Sequence, residues 1–183
     1  FAYGTSANDV AAEAPQNPTK EADAQYTYTF KSWTPAYEEV KGDKTYTATY
    51  TATTNKYTVK WVDEDGTELK TESFAYGTPA NDVAAKAPQN PTKDADAQYT
   101  YTFKGWTPAY EEVKGNKTYT ATYTETTNEY TVTFNSNGGS KVASQTVKYN
   151  DKAKEPTAPT KSGYTFAGWY TEEQLTNTYD FGT

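Results

Sequence analysis

Apolar and polar residues alternate in short blocks along this chain. Tyr57-Thr58-Val59-Lys60-Trp61 puts three large apolar side chains on one face and two polar ones on the other. That is the period of a strand with one buried side. Asp63-Glu64-Asp65-Gly66 follows, and Asp-Gly is a strong hairpin-turn signal. A return strand is predicted from Glu68 to Tyr76. Thr78-Pro79 then opens a short helix reaching Lys86. A Thr hydroxyl accepts from first-turn amides, and proline is tolerated at the first helical position. Pro88 and Pro91 stop the helix. Tyr99-Thr100-Tyr101-Thr102-Phe103 is a third alternating strand, ending at Gly105-Trp106. Tyr110 and the following Glu-Glu-Val-Lys-Gly form a connection to the fourth, Tyr119-Thr120-Ala121-Thr122-Tyr123. There the Tyr and Ala side chains share one face and Thr takes the other. The order strand, strand, short helix, strand, strand predicts an α+β, mostly β module, one sheet with a helix across its apolar face.

This module is repeated. Residues 1–50 return as residues 74–123, offset by 73, with about nine positions in ten identical. A divergent copy opens at Tyr130, where YTVTFNSNGGSKVASQTVKY follows the pattern of YTVKWVDEDGTELKTESFAY from Tyr57. Asn137-Gly138-Gly139 replaces the acidic turn, and Pro156 comes so soon after Asn150 that at most one helical turn is expected. The stretch from Tyr149 to Trp169 is shorter by about ten residues, after which YTFAGW matches YTFKGW at 101–106. The expected organisation is repeat one at 1–56, lacking its first strand, a complete repeat two at 57–129, and repeat three at 130–183, lacking its last strand. The chain is expected to derive from a longer array, with its true N-terminus upstream of Phe1.

Composition makes this core an aromatic one. There are 18 Tyr, 7 Phe and 4 Trp, two Leu, and no Ile, Met, Cys, His or Arg. Each aromatic side chain buries a large area, which compensates for a module of only 73 residues. Asp and Glu number 24 against 17 Lys, a net charge of −7. That balance excludes the basic footprint of a nucleic-acid binder and the polybasic patch of a lipid binder. No run of eighteen apolar residues is present to insert into a membrane. Without Cys there is no disulfide framework. Without His or Cys, the commonest general base and the thiol nucleophile are both missing.

Several residue sets invite a chemical reading. Trp33, Trp106 and Trp169 sit at equivalent positions, as sugar-stacking platforms or, the favoured reading, as core anchors ending the third strand. Asp63, Glu64, Asp65 and Gly66 resemble half a calcium loop, but the closing Glu and the flanking helices of that motif are missing, which favours a solvated turn. Glu38-Glu39 and Glu111-Glu112 are adjacent on extended chain and point opposite ways, unlike the facing carboxylates of a glycosidase. An isopeptide bond needs a buried Lys beside a buried acid, and no Lys lies on an apolar stripe. Asn116-Lys117-Thr118 is formally a glycosylation sequon and is better read as a turn before the last strand. Tyr3, Tyr37, Tyr76 and Tyr110 are the aromatics least certain to be buried, and so the candidates for adhesive contacts. No catalytic, cofactor-binding or metal-binding residue is assigned, and the ligand-binding residues stay unknown.

The third copy, with its NGG turn and GYTFAGWY motif, closely resembles the Listeria–Bacteroides repeat of the internalin B-repeat type. The first two copies resemble a longer cousin, and YTVKWVDEDGTELKTE is also similar to mucin-binding-protein repeats. The resemblance implies tandem β-grasp-like modules with first and last strands side by side and parallel. It implies entry and exit at opposite poles, hence an elongated string. It further implies secreted or cell-wall-anchored proteins, mainly of Gram-positive bacteria, and supplies no catalytic residue. The linkers Thr51–Lys56 and Thr124–Glu129 contain no Gly or Pro and are rich in Thr, which favours extension and limited bending. The expected function is a non-catalytic stalk that spaces a functional domain from the cell wall; the alternative is an adhesive module for host glycan, mucin or protein. Neighbouring repeats are the expected partners, with no cofactor.

Overall fold

The computed structural model describes residues 1–182. It is α+β and mostly β. Repeat one carries α1 (Ala7–Ala12), β1 (Tyr26–Thr34) and β2 (Thr47–Thr54). Then come β3 (Lys56–Val62), β4 (Glu68–Ala75), α2 (Ala80–Ala84), β5 (Tyr99–Thr107) and β6 (Lys117–Thr127), the predicted order of strand, strand, helix, strand, strand. The third copy contributes β7 (Glu129–Val132) and β8 (Gln145–Lys148). By compactness the chain divides into Phe1–Pro91 with Gly105–Thr122, and Thr92–Lys104 with Tyr123–Thr183.

In the first unit, β3 and β4 form an antiparallel hairpin with Tyr57 opposite Phe74. The Asp63–Gly66 turn closes it: the Gly66 amide donates to the Asp63 carbonyl at 2.9 Å. Gly66 has φ +88, a conformation that a Cβ would oppose. The sheet order is β4-β3-β6-β5. β3 and β6 are central and parallel, with Val59 opposite Lys117 and Trp61 opposite Tyr119. This is the strand arrangement that the β-grasp resemblance implied.

The alternation read from sequence delivers the core. Val59, Trp61, Phe74, Val83, Val113 and Tyr119 form one buried cluster, with Tyr57, Trp106 and Tyr110 packed against it. Trp61 is wholly shielded from solvent and Tyr119 nearly so. Full burial of a single large apolar side chain contributes about 1.5–3 kcal/mol. α2 is only five residues long, and its task is to bring Val83 onto the sheet.

Local details depart from the sequence reading. Thr78 does not cap α2, and Pro79 is not its first helical residue. Pro79 is extended (φ −63, ψ 150) and occupies the cap position without a side-chain bond. Thr78 is thereby one residue too early, and its hydroxyl donates back to the Ala75 carbonyl at 2.7 Å. In repeat one, Ser6 stands where Pro79 does, and its hydroxyl accepts from the Asp9 amide at 3.3 Å. β1 carries a register shift between Phe30 and Ser32. This bulge switches the alternation by one residue, so Trp33 joins Phe30 on one side at a ring separation of 5.6 Å.

In the second unit, β7 and β8 pair antiparallel, with Tyr130 opposite Val147. The stretch 164–169, expected as a strand, is not one. Among the described residues it makes no ladder, only a bridge of Lys161 with Tyr164, and Tyr170 bridges Thr178. Its side chains nonetheless cluster as their apolar character demands. Trp169 lies 5.1 Å from Phe134 and 5.4 Å from Phe166, ring to ring.

Candidate functional site

The equivalent tryptophans meet different fates. Trp106 packs against the core of repeat two. Trp33 borders an open depression beside Val10, Tyr37 and Tyr46, and Trp169 borders another beside Phe134 and Phe181. Trp61 donates its Nε1 hydrogen to the Tyr110 hydroxyl at 3.0 Å, so Tyr110 is a core partner. Burial raises the pKa of that phenol above its ordinary value. Tyr37 stacks edge-on to Tyr46 at 4.9 Å, and Tyr76 lies 6.4 Å from Tyr57. Tyr3 is largely solvent-exposed.

The charged candidates are occupied by local partners. Asp63 Oδ1 accepts from the Glu64 amide and Asp65 Oδ1 from the Thr67 amide, each at 2.8 Å, so these carboxylates shape the turn. No group of three metal-binding side chains occurs among the described residues. Glu38 pairs with Lys44 and Glu39 with Lys41. Glu111 pairs with Lys117 and Glu112 with Lys114 in the same way. Neighbouring carboxylates thus turn to different lysines and do not converge on a common point. No charged side chain is buried among the described residues. Asn116 Oδ1 accepts from the Thr58 amide at 2.8 Å, tying the approach to β6 onto β3.

The densest polar constellation was not singled out from the sequence. It lies where one repeat passes into the next. β2 ends at Thr54 and β3 begins at Lys56; β6 ends at Thr127 and β7 begins at Glu129. The expected Thr linkers are strand, interrupted only at Asn55 and at Asn128. The Asn55 amide donates to the Gln25 carbonyl at 2.8 Å. Its side-chain Nδ2 donates to the carbonyls of Asp23 (2.8 Å) and Ala24 (3.2 Å). Its Oδ1 accepts from the Thr27 hydroxyl at 2.7 Å. Its carbonyl accepts from the Tyr76 amide at 2.8 Å. Two residues on, the Tyr57 hydroxyl donates to the Ala24 carbonyl at 2.6 Å.

The second junction repeats the first. Asn128 donates to the Gln98 carbonyl from its backbone and to the Asp96 carbonyl from its side chain, at 2.8 and 2.7 Å. Its Oδ1 accepts from Thr100, and its carbonyl accepts from the Tyr149 amide. The Tyr130 hydroxyl reaches the Ala97 carbonyl at 2.6 Å. The receiving loop is itself pinned by a carboxylate. Asp23 accepts from the Tyr26 and Gln25 amides and the Tyr28 hydroxyl, and Asp96 from the Tyr99 and Gln98 amides and the Tyr101 hydroxyl. These bonds hold both carboxyls below the ordinary range, led by the Tyr26 amide at Asp23 and the Tyr101 hydroxyl at Asp96. The available sequence signal was the recurrence of Asn-x-Tyr at 55–57 and 128–130, each following its Asp-Ala-Gln by the same interval.

Comparison with known proteins fits this picture. Residues 130–183 match the model of the Listeria-Bacteroides repeat domain. The chain is 34% identical over 139 residues, 70% of its length, to a protein of Evansella cellulosilytica described as a Gly-rich membrane protein. It is 39% identical over 109 residues, 54% of its length, to Internalin H of Listeria monocytogenes. It spans only 15% and 18% of those two relatives. No solved structure matches it. No helix among the described residues is long and apolar enough to cross a membrane. Residues 130–183 thus match the Listeria-Bacteroides repeat domain, and the chain is similar to the internalin-type repeats of bacterial surface proteins.

Proposed function

We propose that these repeats are a non-catalytic stalk in a secreted or cell-wall-anchored protein, spacing a functional domain from the bacterial surface. The carrying observation is the parallel pairing of β3 with β6. Two parallel neighbours run the same way, so the chain enters repeat two at one end of the sheet and leaves at the other. A module built this way hands the chain on at its far end, through a single non-strand residue, to the next repeat. Relatedness to surface-protein repeats supports the extracellular setting.

Small-angle scattering on the chain tests this reading. An extended particle supports a spacer, and a compact globule overturns it. The adhesive alternative draws on the exposed Tyr3 and on the internalin relationship. Saturable binding to a mucin or host-glycan array, lost on Tyr3→Ala, would assign the repeats to adhesion instead.

A further inference from the structure

Repeats one and two exceed repeat three by about ten residues between helix and third strand. This added chain is not spent on the repeat's own core. The core cluster of repeat two takes only Ala87, at its border, from residues 86–98. The added chain instead crosses its own strands by way of Lys20 or Lys93, whose Nζ sits 3.8 or 3.9 Å over the ring of Tyr28 or Tyr101. It ends in Asp-Ala-Gln, at 23–25 and again at 96–98. All three carbonyls of that tripeptide are taken at the passage into the next repeat, two by Asn55 or Asn128 and one by the Tyr that opens that repeat.

We propose that this extension is an inter-repeat socket, that its partner is the Asn-x-Tyr run leading into the following repeat, and that together they hold the junction in one conformation. The chemistry selects that partner. Three outward carbonyls present only acceptors, so the plug must be all donors: a backbone N–H, a primary amide and a phenol. Asp in place of Asn would set a carboxylate against the carbonyls, and Phe in place of Tyr would take from the middle one its shortest donor bond. The plug residue is also fully committed. The backbone N–H, side-chain amide, side-chain oxygen and carbonyl of Asn55 each have a partner, and so do those of Asn128. The last of these partners, Tyr76 or Tyr149, belongs to the following repeat's hairpin side, so the Asn is gripped from both directions. A bend at the junction has to break several bonds at once. The socket stands whether the array serves as a spacer or as an adhesin.

The chain has no native cysteine, so a spin-label pair can be placed on the full protein by Thr102→Cys in repeat two and Ser144→Cys in repeat three, both exposed. Pulsed electron resonance on the parent is expected to give one narrow distance distribution. Asn128→Asp, nearly isosteric, and Tyr130→Phe, which removes a single hydroxyl, are each expected to broaden it. The near-ultraviolet dichroism of the aromatic core should stay at the parent level in both. A distribution already broad in the parent overturns the socket, as does one that stays narrow in both variants. Should Asn128→Asp fail to fold, Tyr130→Phe alone decides between these outcomes.

Discussion

Trp61 and Tyr110 lie 49 positions apart in the chain, and the indole of one donates to the hydroxyl of the other at 3.0 Å. The bond binds the first strand of repeat two to the connection that follows its third. It also satisfies the polar atom of a side chain that has no contact with water. Tyr110 in turn stacks on Tyr119 at 4.6 Å, so three aromatics from distant segments share one contact.

Truncating this centre is expected to be severe. Trp61→Ala should cost about 3–5 kcal/mol, the range for a large aromatic removed from a packed core. Tyr110→Phe leaves the indole hydrogen without its acceptor and should cost about 1–3 kcal/mol. Trp61→Phe removes the donor together with the ring volume and should fall below Trp61→Ala, since Phe134 fills the same place in repeat three. Urea unfolding of the three variants checks the order.

The hairpin turn gives a second, sharper comparison. Gly66 has φ +88 and open space around its missing Cβ. Gly66→Ala should therefore cost about 1–2 kcal/mol through backbone conformation alone. Gly42 also faces open space but has no left-handed φ. Gly42→Ala should stay within about 0.5 kcal/mol of the parent. Equal losses at the two sites in thermal unfolding would refute the conformational argument.

Acid is expected to loosen the junction loops. Asp23 and Asp96 have carboxyls held below the ordinary value by hydrogen bonds that the ionised form accepts more strongly than the neutral one. A lowered folded-state pKa means the contribution is complete above the unfolded value of about 3.9 and is lost as pH falls through the folded one. Protection of the Tyr26 and Tyr99 amides, taken relative to their intrinsic exchange rates, should be high at neutral pH and fall as pH drops through the folded value, which lies below about 3.9. Asp96→Ala, which leaves no side-chain acceptor, should lose that protection at Tyr99 already at neutral pH. Slow exchange at Tyr99 in that variant would show that the carboxylate does not shape the loop.

Much of this architecture was legible in the residues. The period-two alternation at 57–61 and 119–123 became β3 and β6, with Val59, Trp61, Tyr119 and Ala121 buried. The Asp-Gly turn closed the hairpin where expected. The resemblance implied the parallel central pair. The helix start was misplaced by one residue, because whether Thr78 or Pro79 caps depends on a ψ angle that neither residue dictates. The strand expected at 164–169 did not form because a strand exists only through a neighbour, and its own alternation cannot supply one.

The repeat, the face each strand buries and the aromatic nature of the core were written in the order of the residues, because the pleat converts a local pattern directly into sidedness. Tertiary structure decided which of those faces is covered. Alternation puts Tyr119 and Tyr123 along the same strand, yet Tyr119 is 1% exposed while Tyr123 is only half-buried. The difference is β3, whose pairing with β6 runs from Lys117 to Thr120 and brings Trp61 against Tyr119. The junction was likewise decided in three dimensions. Every residue offers a carbonyl, and only the fold shows that those of Asp23, Ala24 and Gln25 are turned toward the next repeat.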